Sequence, residues 1–163
     1  MNSGHRIIGM INGPESLTAC GERLQGYIRA LKKHRLKYDP NLIVSCDLTP
    51  EGTEQAMHTL LSQRRKPTAI VVFNDYVALH AVQYARRMKL RINKDITFVS
   101  YANLPLSHYT AYPPLASVEQ FPYLQGQKAT ETLFDLLESK RDEGESNTFY
   151  RIILESQLVK NQP

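Results

Sequence analysis

The sequence predicts an α/β protein, a Rossmann-like parallel sheet with helices on both faces. Short apolar runs of strand length alternate with stretches of helical period along the first hundred residues. The runs are continuously apolar rather than alternating, and such strands need cover on both faces of a parallel sheet. Each run then ends in polar residues, as expected where the carboxyl ends of parallel strands form a ligand-binding edge.

The elements follow in order. "RIIGMI" (6–11) reads as a buried strand, and from Pro14 the residues Leu17, Cys20, Leu24, Tyr27, Ile28 and Leu31 recur at helical spacing. "LIVSCD" (42–47) is a second strand. Thr49-Pro50-Glu51 then supplies a cap with proline at the first helical position, and Ala56, Met57, Leu60 and Leu61 form an inward stripe. "TAIVVF" (68–73) leads into a helix from about Asp75 to Lys89, with Val77, Leu79, Ala81, Val82 and Ala85 as packing positions. "DITFVSY" (95–101) is a fourth strand, entered through the turn-like Ile92-Asn93-Lys94. After 101 the pattern changes to a proline-bearing loop, "ANLPLSHYTAYPP", and a short strand, "LASVEQ". A helix follows, "YLQGQKATETLFDLLESKRDEG", with Leu124, Leu133, Phe134 and Leu137 inward, and then a long strand or strand pair, "NTFYRIILESQLV".

A length of 163 residues suits one ordinary domain. The 42% apolar and 22% charged content excludes collagen-like, disordered and disulfide-dense classes. No apolar run approaches the ~20 residues that span a bilayer, and "MNSGHRIIGM" lacks the order of a secretory signal, so a cytoplasmic protein without membrane contact is expected. Cys20 and Cys46 match no zinc spacing and are expected to be buried free thiols. The net charge of +4 is concentrated in 29–37 and 85–91, at the ends of predicted helices, where cations complement the macrodipole. No aromatic platform is interleaved with them, as single-stranded nucleic-acid binding would require.

The strand ends offer Asn12-Gly13, Asp47, Asn74-Asp75 and Tyr101-Ala102-Asn103, which should converge on one rim of the sheet. Asp75 reads as an N-cap or first-turn anion, and Asp47 as turn chemistry before its helix. Asn74 stands open between capping and ligand binding. The sequence contains no G-x-S-x-G elbow, no phosphate-cradling glycine loop and no H-E-x-x-H, and its five histidines are scattered. A binding module is therefore expected rather than an enzyme, with no catalytic residue, metal or cofactor.

The succession "GHRIIGMINGPE", "ERLQGYIRAL", "KPTAIVVFNDYVALHAV", "INKDITFVSYANLPL", "YPPLASVEQ" and "GQKATETLFDLL" resembles the LacI/GalR family of bacterial transcription regulators, in their effector-binding and dimerising region. The resemblance implies one lobe of a type I periplasmic-binding-protein-like fold, sensing a small molecule such as a sugar or nucleobase between two lobes. Arg23 then looks like the family arginine that reaches the ligand from the first helix, and Asn74 like the asparagine of the family "ND" pair. Asp47 and Asn103 join the implied effector set. Two positions depart from the family pattern: Ala102 stands where an acidic ligand contact is common, and Leu48 where an aromatic often stacks.

By the same resemblance, residues 4–118 form the C-terminal lobe of the effector-binding domain. Residues 119–145 form a crossover and helix belonging to an N-terminal lobe, and 146–163 return to the C-terminal lobe. The stripe of that helix is expected to pack elsewhere or against another chain. A homodimer is implied through the helix after Asn74 and the loop 107–112. Operator DNA is implied as a partner only through a helix-turn-helix domain that this chain does not carry. The alternative implied by the fold is part of a periplasmic-type sugar-binding protein.

Overall fold

The computed structural model describes residues 4–138 and 150–161. Its elements are β1 (Ile8–Asn12), α1 (Thr18–Lys33), β2 (Ile43–Ser45), α2 (Pro50–Leu61), β3 (Ala69–Val72), α3 (Asp75–Arg87), β4 (Thr97–Ala102), β5 (Ala116–Glu119), α4 (Pro122–Glu138) and β6 (Gln157–Lys160). Single 3-10 turns lie at Pro40–Leu42 and Pro105–Tyr109.

The six strands form one sheet in the order β2-β1-β3-β4-β5-β6. The first five are mutually parallel, and β6 runs antiparallel to β5. From β1 the chain steps outward to β2 and then returns past β1 to β3, so the winding reverses between β1 and β3. Such a switch point opens a crevice at the strand carboxyl ends.

Helices lie on both faces, as the continuous apolar runs require. On one face α2 and α3 bury Met57, Leu60, Val77 and Ala81 against Ile11, Ile70, Val72 and Phe98 of the sheet. On the other, α1 packs Tyr27 and Leu31 against Met10. Capping fixes where the helices begin. Thr49 accepts from the Gly52 N–H ahead of Pro50, and Asn74 accepts from the Val77 N–H at 2.9 Å. Lys32 and Lys33 end α1, and Arg86 and Arg87 end α3, which accounts for both basic clusters. Cys20 and Cys46 are buried free thiols.

Three expectations are corrected. On α3 the buried residue is Ala78, while Leu79 is only half-buried. At ~100° per residue, position 79 lies about 200° from Val77 and off the packed face. Leu124, Leu133, Phe134 and Leu137 do not face inward, because α4 has no buried residue and all four are exposed. In the final segment only Gln157–Lys160 is strand, and 150–156 has no regular structure. The expected extension of α4 through 139–144 and the start of the last strand at 147–149 lie outside the described residues.

The Tyr27 hydroxyl donates to the Ile8 carbonyl at 2.7 Å, tying α1 to β1. Burial, with the negative charges of Tyr38 and Asp39 adding to it, pushes the Tyr27 phenol up to about 12. The folded value stands above the unfolded value of ~10, so the folded state holds this proton more tightly. The associated stability is complete below pH ~10 and is lost as pH rises through about 12. Urea melts at pH 8 and 11 are expected to show a smaller alkaline loss in Tyr27→Phe than in the wild type.

Candidate ligand cleft

At the switch point the carboxyl ends of β1 and β3 bring together Asn12, Gly13, Phe73 and Asn74, and α1 leans its first turns over them. Asn12 is buried. Its Nδ2 donates to the Cys20 carbonyl at 3.0 Å and its Oδ1 accepts from the Gly13 N–H at 3.1 Å, so β1 is stapled to the start of α1.

Arg23 rises from α1 at this point. Its guanidinium lies between two rings, with the carbon 4.3 Å from the Phe73 centroid and 4.2 Å from that of Tyr101. One Nη1–H donates to the Phe73 carbonyl at 2.9 Å. Both rings offer their negative faces to the cation. Burial lowers the Arg23 pKa, against the opposing influence of Tyr101 and Cys20, and an arginine so shifted remains protonated at neutral pH. A guanidinium has five N–H donors, and one is spent on the Phe73 carbonyl. The remaining fork is held planar and directed by the aromatic pair, which is the geometry for recognising hydroxyl or carbonyl oxygens.

Gly13 makes room for this arrangement. A Cβ there would stand 2.9 Å from Phe73 Cε2 and 3.2 Å from Cys20 Sγ. Gly13→Ala must push the Phe73 ring from its seat, and a stability loss of about 1–3 kcal/mol is expected in urea denaturation. The displaced ring would also uncover one side of Arg23.

Asn74 is the N-cap of α3, so its amide oxygen is committed to the backbone. Both readings open in the sequence remain compatible, because the cap uses only the oxygen and leaves the NH2 as a donor at the rim. Asp75 stands in the first turn of α3, one of the two readings the sequence offered, and the cap itself is Asn74. Asp75 is 3% exposed, and its carboxylate accepts from the hydroxyls of Ser100 and Ser117, the latter at 3.0 Å, and from the Leu104 N–H at 2.6 Å. It is a buried latch between α3, β4 and β5 rather than a cap.

Asp47 forms a turn, as the sequence suggests. It accepts from the Thr49 N–H at 3.0 Å and the Thr49 hydroxyl at 2.6 Å, and these bonds hold its carboxyl below the usual range. Leu48 is half-buried at positive φ and packs against the α2/α3 core. Ala102 ends β4 in a left-handed conformation, followed by Asn103 in another. The Asn103 amide donates to Glu119 at 2.9 Å, and its N–H donates to the Ser117 hydroxyl. The bond from the Asn103 side chain holds the Glu119 carboxyl below its ordinary value, aided by the Phe121 N–H. The structure therefore joins Arg23 with the Phe73–Asn74 strand end and, through Tyr101, with the Ala102–Asn103 end. It keeps Leu48 in the core and Asp47 in its turn.

Sequence reasoning missed Phe73 as half of the aromatic clamp, and missed Glu119. Phe73 had one available signal: it is the last apolar residue before the strand-end asparagine, where a side chain reaches the rim. Among the described residues no group of three or more His, Cys, Asp or Glu side chains could hold a metal ion.

These features give the chain a mostly parallel sheet with a switch-point crevice and a clamped arginine at its carboxyl edge. The periplasmic binding protein-like domain family matches residues 1–156. The chain belongs to that family and corresponds to the effector-binding region of LacI-family transcription regulators. It is 35% identical over 137 residues to the HTH-type transcriptional repressor CytR of Escherichia coli K12, covering 84% of this chain and 40% of that protein. The transcriptional regulator CelR in complex with cellobiose has the same fold at a TM-score of 0.85 and 30% identity, over 97% of this chain and 46% of that one. A LacI transcriptional regulator from Bacillus cereus subsp. cytotoxis gives a TM-score of 0.86 at 30% identity, over 99% of this chain and 55% of that one. The chain thus spans about half the length of the proteins it matches.

Proposed function

We propose that this chain forms one wall of an effector cleft in a cytoplasmic, non-enzymatic transcription regulator, and that the effector is a sugar or nucleobase-like molecule gripped by Arg23. The observation that carries the reading is the guanidinium fixed between Phe73 and Tyr101 at the switch point. Asn74 and Asn103 add amide donors beside it. Asp47, Leu48 and Ala102 complete the proposed wall, with Leu48 and Ala102 at the positions where the resemblance implies an aromatic ring and a carboxylate.

Within the parent protein, residues 4–118 and 146–163 belong to this lobe and 119–145 to the facing one. The exposure of α4 supports that division. Operator binding is assigned to a separate domain, and effector occupancy alters it through lobe and dimer geometry. The dimer face is placed on α3 and the loop 107–112, where Tyr76, Tyr109 and Tyr112 are exposed. Relatives named as repressors favour this reading over a periplasmic sugar-binding protein.

The test is a thermal-shift and amide-NMR screen of this chain against mono- and disaccharides, nucleosides and nucleobases. A binder raises Tm because it favours the native state, and it should perturb the amides of Asn74, Ala102 and Asn103. Perturbation confined to another surface would sink the assignment.

A further inference from the structure

Glu119 ends β5 opposite Ala102 of β4, one residue short of Asn103 in the register of the two strands. Its carboxylate oxygens serve different partners. Oε2 accepts from the Asn103 Nδ2 at 2.9 Å, and Oε1 accepts from the Phe121 N–H at 2.7 Å. The Asn103 bond first, and then the Phe121 N–H, hold the carboxyl below the ordinary glutamate range, so it is ionised at neutral pH. An ionised carboxylate accepts and does not donate.

That one-sidedness decides which way the Asn103 amide faces. The oxygen and nitrogen ends of an asparagine side chain are nearly the same shape, so sterics alone do not choose between them. Facing Glu119, the oxygen end would set two acceptors against each other, and the NH2 end therefore takes that side. The Asn103 backbone is pinned separately. Its φ is 50°, in the left-handed region, and its N–H donates to the Ser117 hydroxyl at 2.9 Å. Ser117 in turn donates to the buried Asp75. Main chain and side chain of Asn103 are thus fixed by different partners. The bond to Glu119 uses one Nδ2–H and leaves the other, together with the carbonyl oxygen.

We propose that Glu119 is a positioning residue of the effector wall: anchored by the Phe121 N–H, it fixes the polarity of the Asn103 amide, so that this rim offers the effector one acceptor and one donor. The fit is to a group that both donates and accepts, a hydroxyl or the amide edge of a nucleobase. Glu119 touches no ligand and acts through Asn103. The inference rests on the reading of Asn103 as part of the effector wall, and it adds the chemistry that this position selects.

The experiment follows the Asn103 side-chain NH2 and the Phe121 amide by NMR in the ligand-free chain, as pH falls from neutral to about 3. Both are expected to move with one shared midpoint, below the ordinary glutamate value, and that step should vanish in Glu119→Gln. Asp75, which reaches the Asn103 N–H through Ser117, is common to both proteins and cancels in the comparison. Glu119→Gln has one acceptor oxygen for two donors. With that oxygen on the Phe121 N–H, its new NH2 meets the Asn103 side chain and turns that amide over. For a panel sugar or nucleoside that raises the Tm of the wild type, Kd should therefore rise about tenfold or more in Glu119→Gln, with the far-UV spectrum unchanged. A pH step at Phe121 without one at Asn103 would make Glu119 a turn former only and overturn the proposal, and so would an unchanged Kd. A screen with no binder, or with one that perturbs only another surface, would overturn the effector wall and this role with it, while the shared midpoint persisted. Loss of the shared midpoint with a binder still at Asn103 would overturn the role of Glu119 alone.

Discussion

Asp75→Ala is expected to lower the stability of the lobe by about 3–5 kcal/mol, the largest loss of any single polar substitution in the sheet edge. The carboxylate accepts three hydrogen bonds, from Ser100, Ser117 and the Leu104 N–H, in a site only 3% exposed. Hydrogen bonds to a charged acceptor contribute about 1.5–3 kcal/mol each, and a buried donor left without its partner costs more than the bond itself contributed. Alanine orphans the Leu104 amide and leaves the Ser100 and Ser117 hydroxyls, 3.1 Å apart, with one donor proton between them unplaced. Asp75→Asn keeps the shape and one acceptor oxygen but turns an NH2 toward one of the three donors, so a loss roughly half as large is expected. Urea denaturation with an unchanged m-value is the measurement. A midpoint shift worth under ~1 kcal/mol for alanine would show that Asp75 does not latch α3 to β4 and β5.

The latch also bears on the cleft. Ser117 donates to Asp75 and accepts from the Asn103 N–H at 2.9 Å, so the left-handed pair Ala102-Asn103 is held from below by the same network. Loss of Asp75 should therefore raise amide exchange first at 102–104.

Asp75 marks the boundary of what could be read from the chain. Local chemistry was legible: the Thr49-Pro50 start of α2, the asparagine cap of α3, the Asp47 turn and the cations closing α1 and α3 all act over a few residues and leave a pattern in the sequence. The order of strands and helices was legible for the same reason, because burial on both faces makes a strand continuously apolar. The partners of Asp75 lie 25, 29 and 42 positions away. No local pattern sets such pairings, so the sequence gives the charge at the start of α3, which the structure bears out, and not the partners that bury it. On α4 the periodicity correctly gave a helix with an apolar side. Period shows that a stripe exists and not what covers it, so Leu133, Phe134 and Leu137 were expected inward and are exposed. The site was half legible. Asn74 and Asn103 stood out by type and position at strand ends and Arg23 only through the family resemblance, whereas the Phe73–Tyr101 clamp depends on three elements meeting at the switch point.

Arg23→Ala is expected to weaken effector binding about 10- to 100-fold while changing stability by no more than about 1 kcal/mol. The two effects separate because the residue does different things in each state. In the ligand-free fold, Arg23 contributes one hydrogen bond to the Phe73 carbonyl and two ring contacts at a half-buried position, each worth about 0.5–1 kcal/mol and partly offset by the burial that lowers its pKa. In the bound state proposed above its remaining donors would meet ligand oxygens without the entropy cost of ordering a long side chain, because Phe73 and Tyr101 already fix the plane. One or two charge-assisted bonds at ~1.5–3 kcal/mol correspond to at least a tenfold change in Kd. Arg23→Lys discriminates between charge and shape. It keeps the cation but loses the planar fork and most of the stacking, so it should resemble alanine in binding. Tyr101→Leu should lie between the wild type and Arg23→Ala, since it keeps Arg23 and Phe73 but removes one face of the clamp. Titration calorimetry with the ligand found by the thermal-shift screen, beside urea melts of each variant, gives both numbers. If Arg23→Lys bound as tightly as the wild type, a simple positive charge would suffice, and the aromatic clamp would be a packing feature rather than the element that orients the effector.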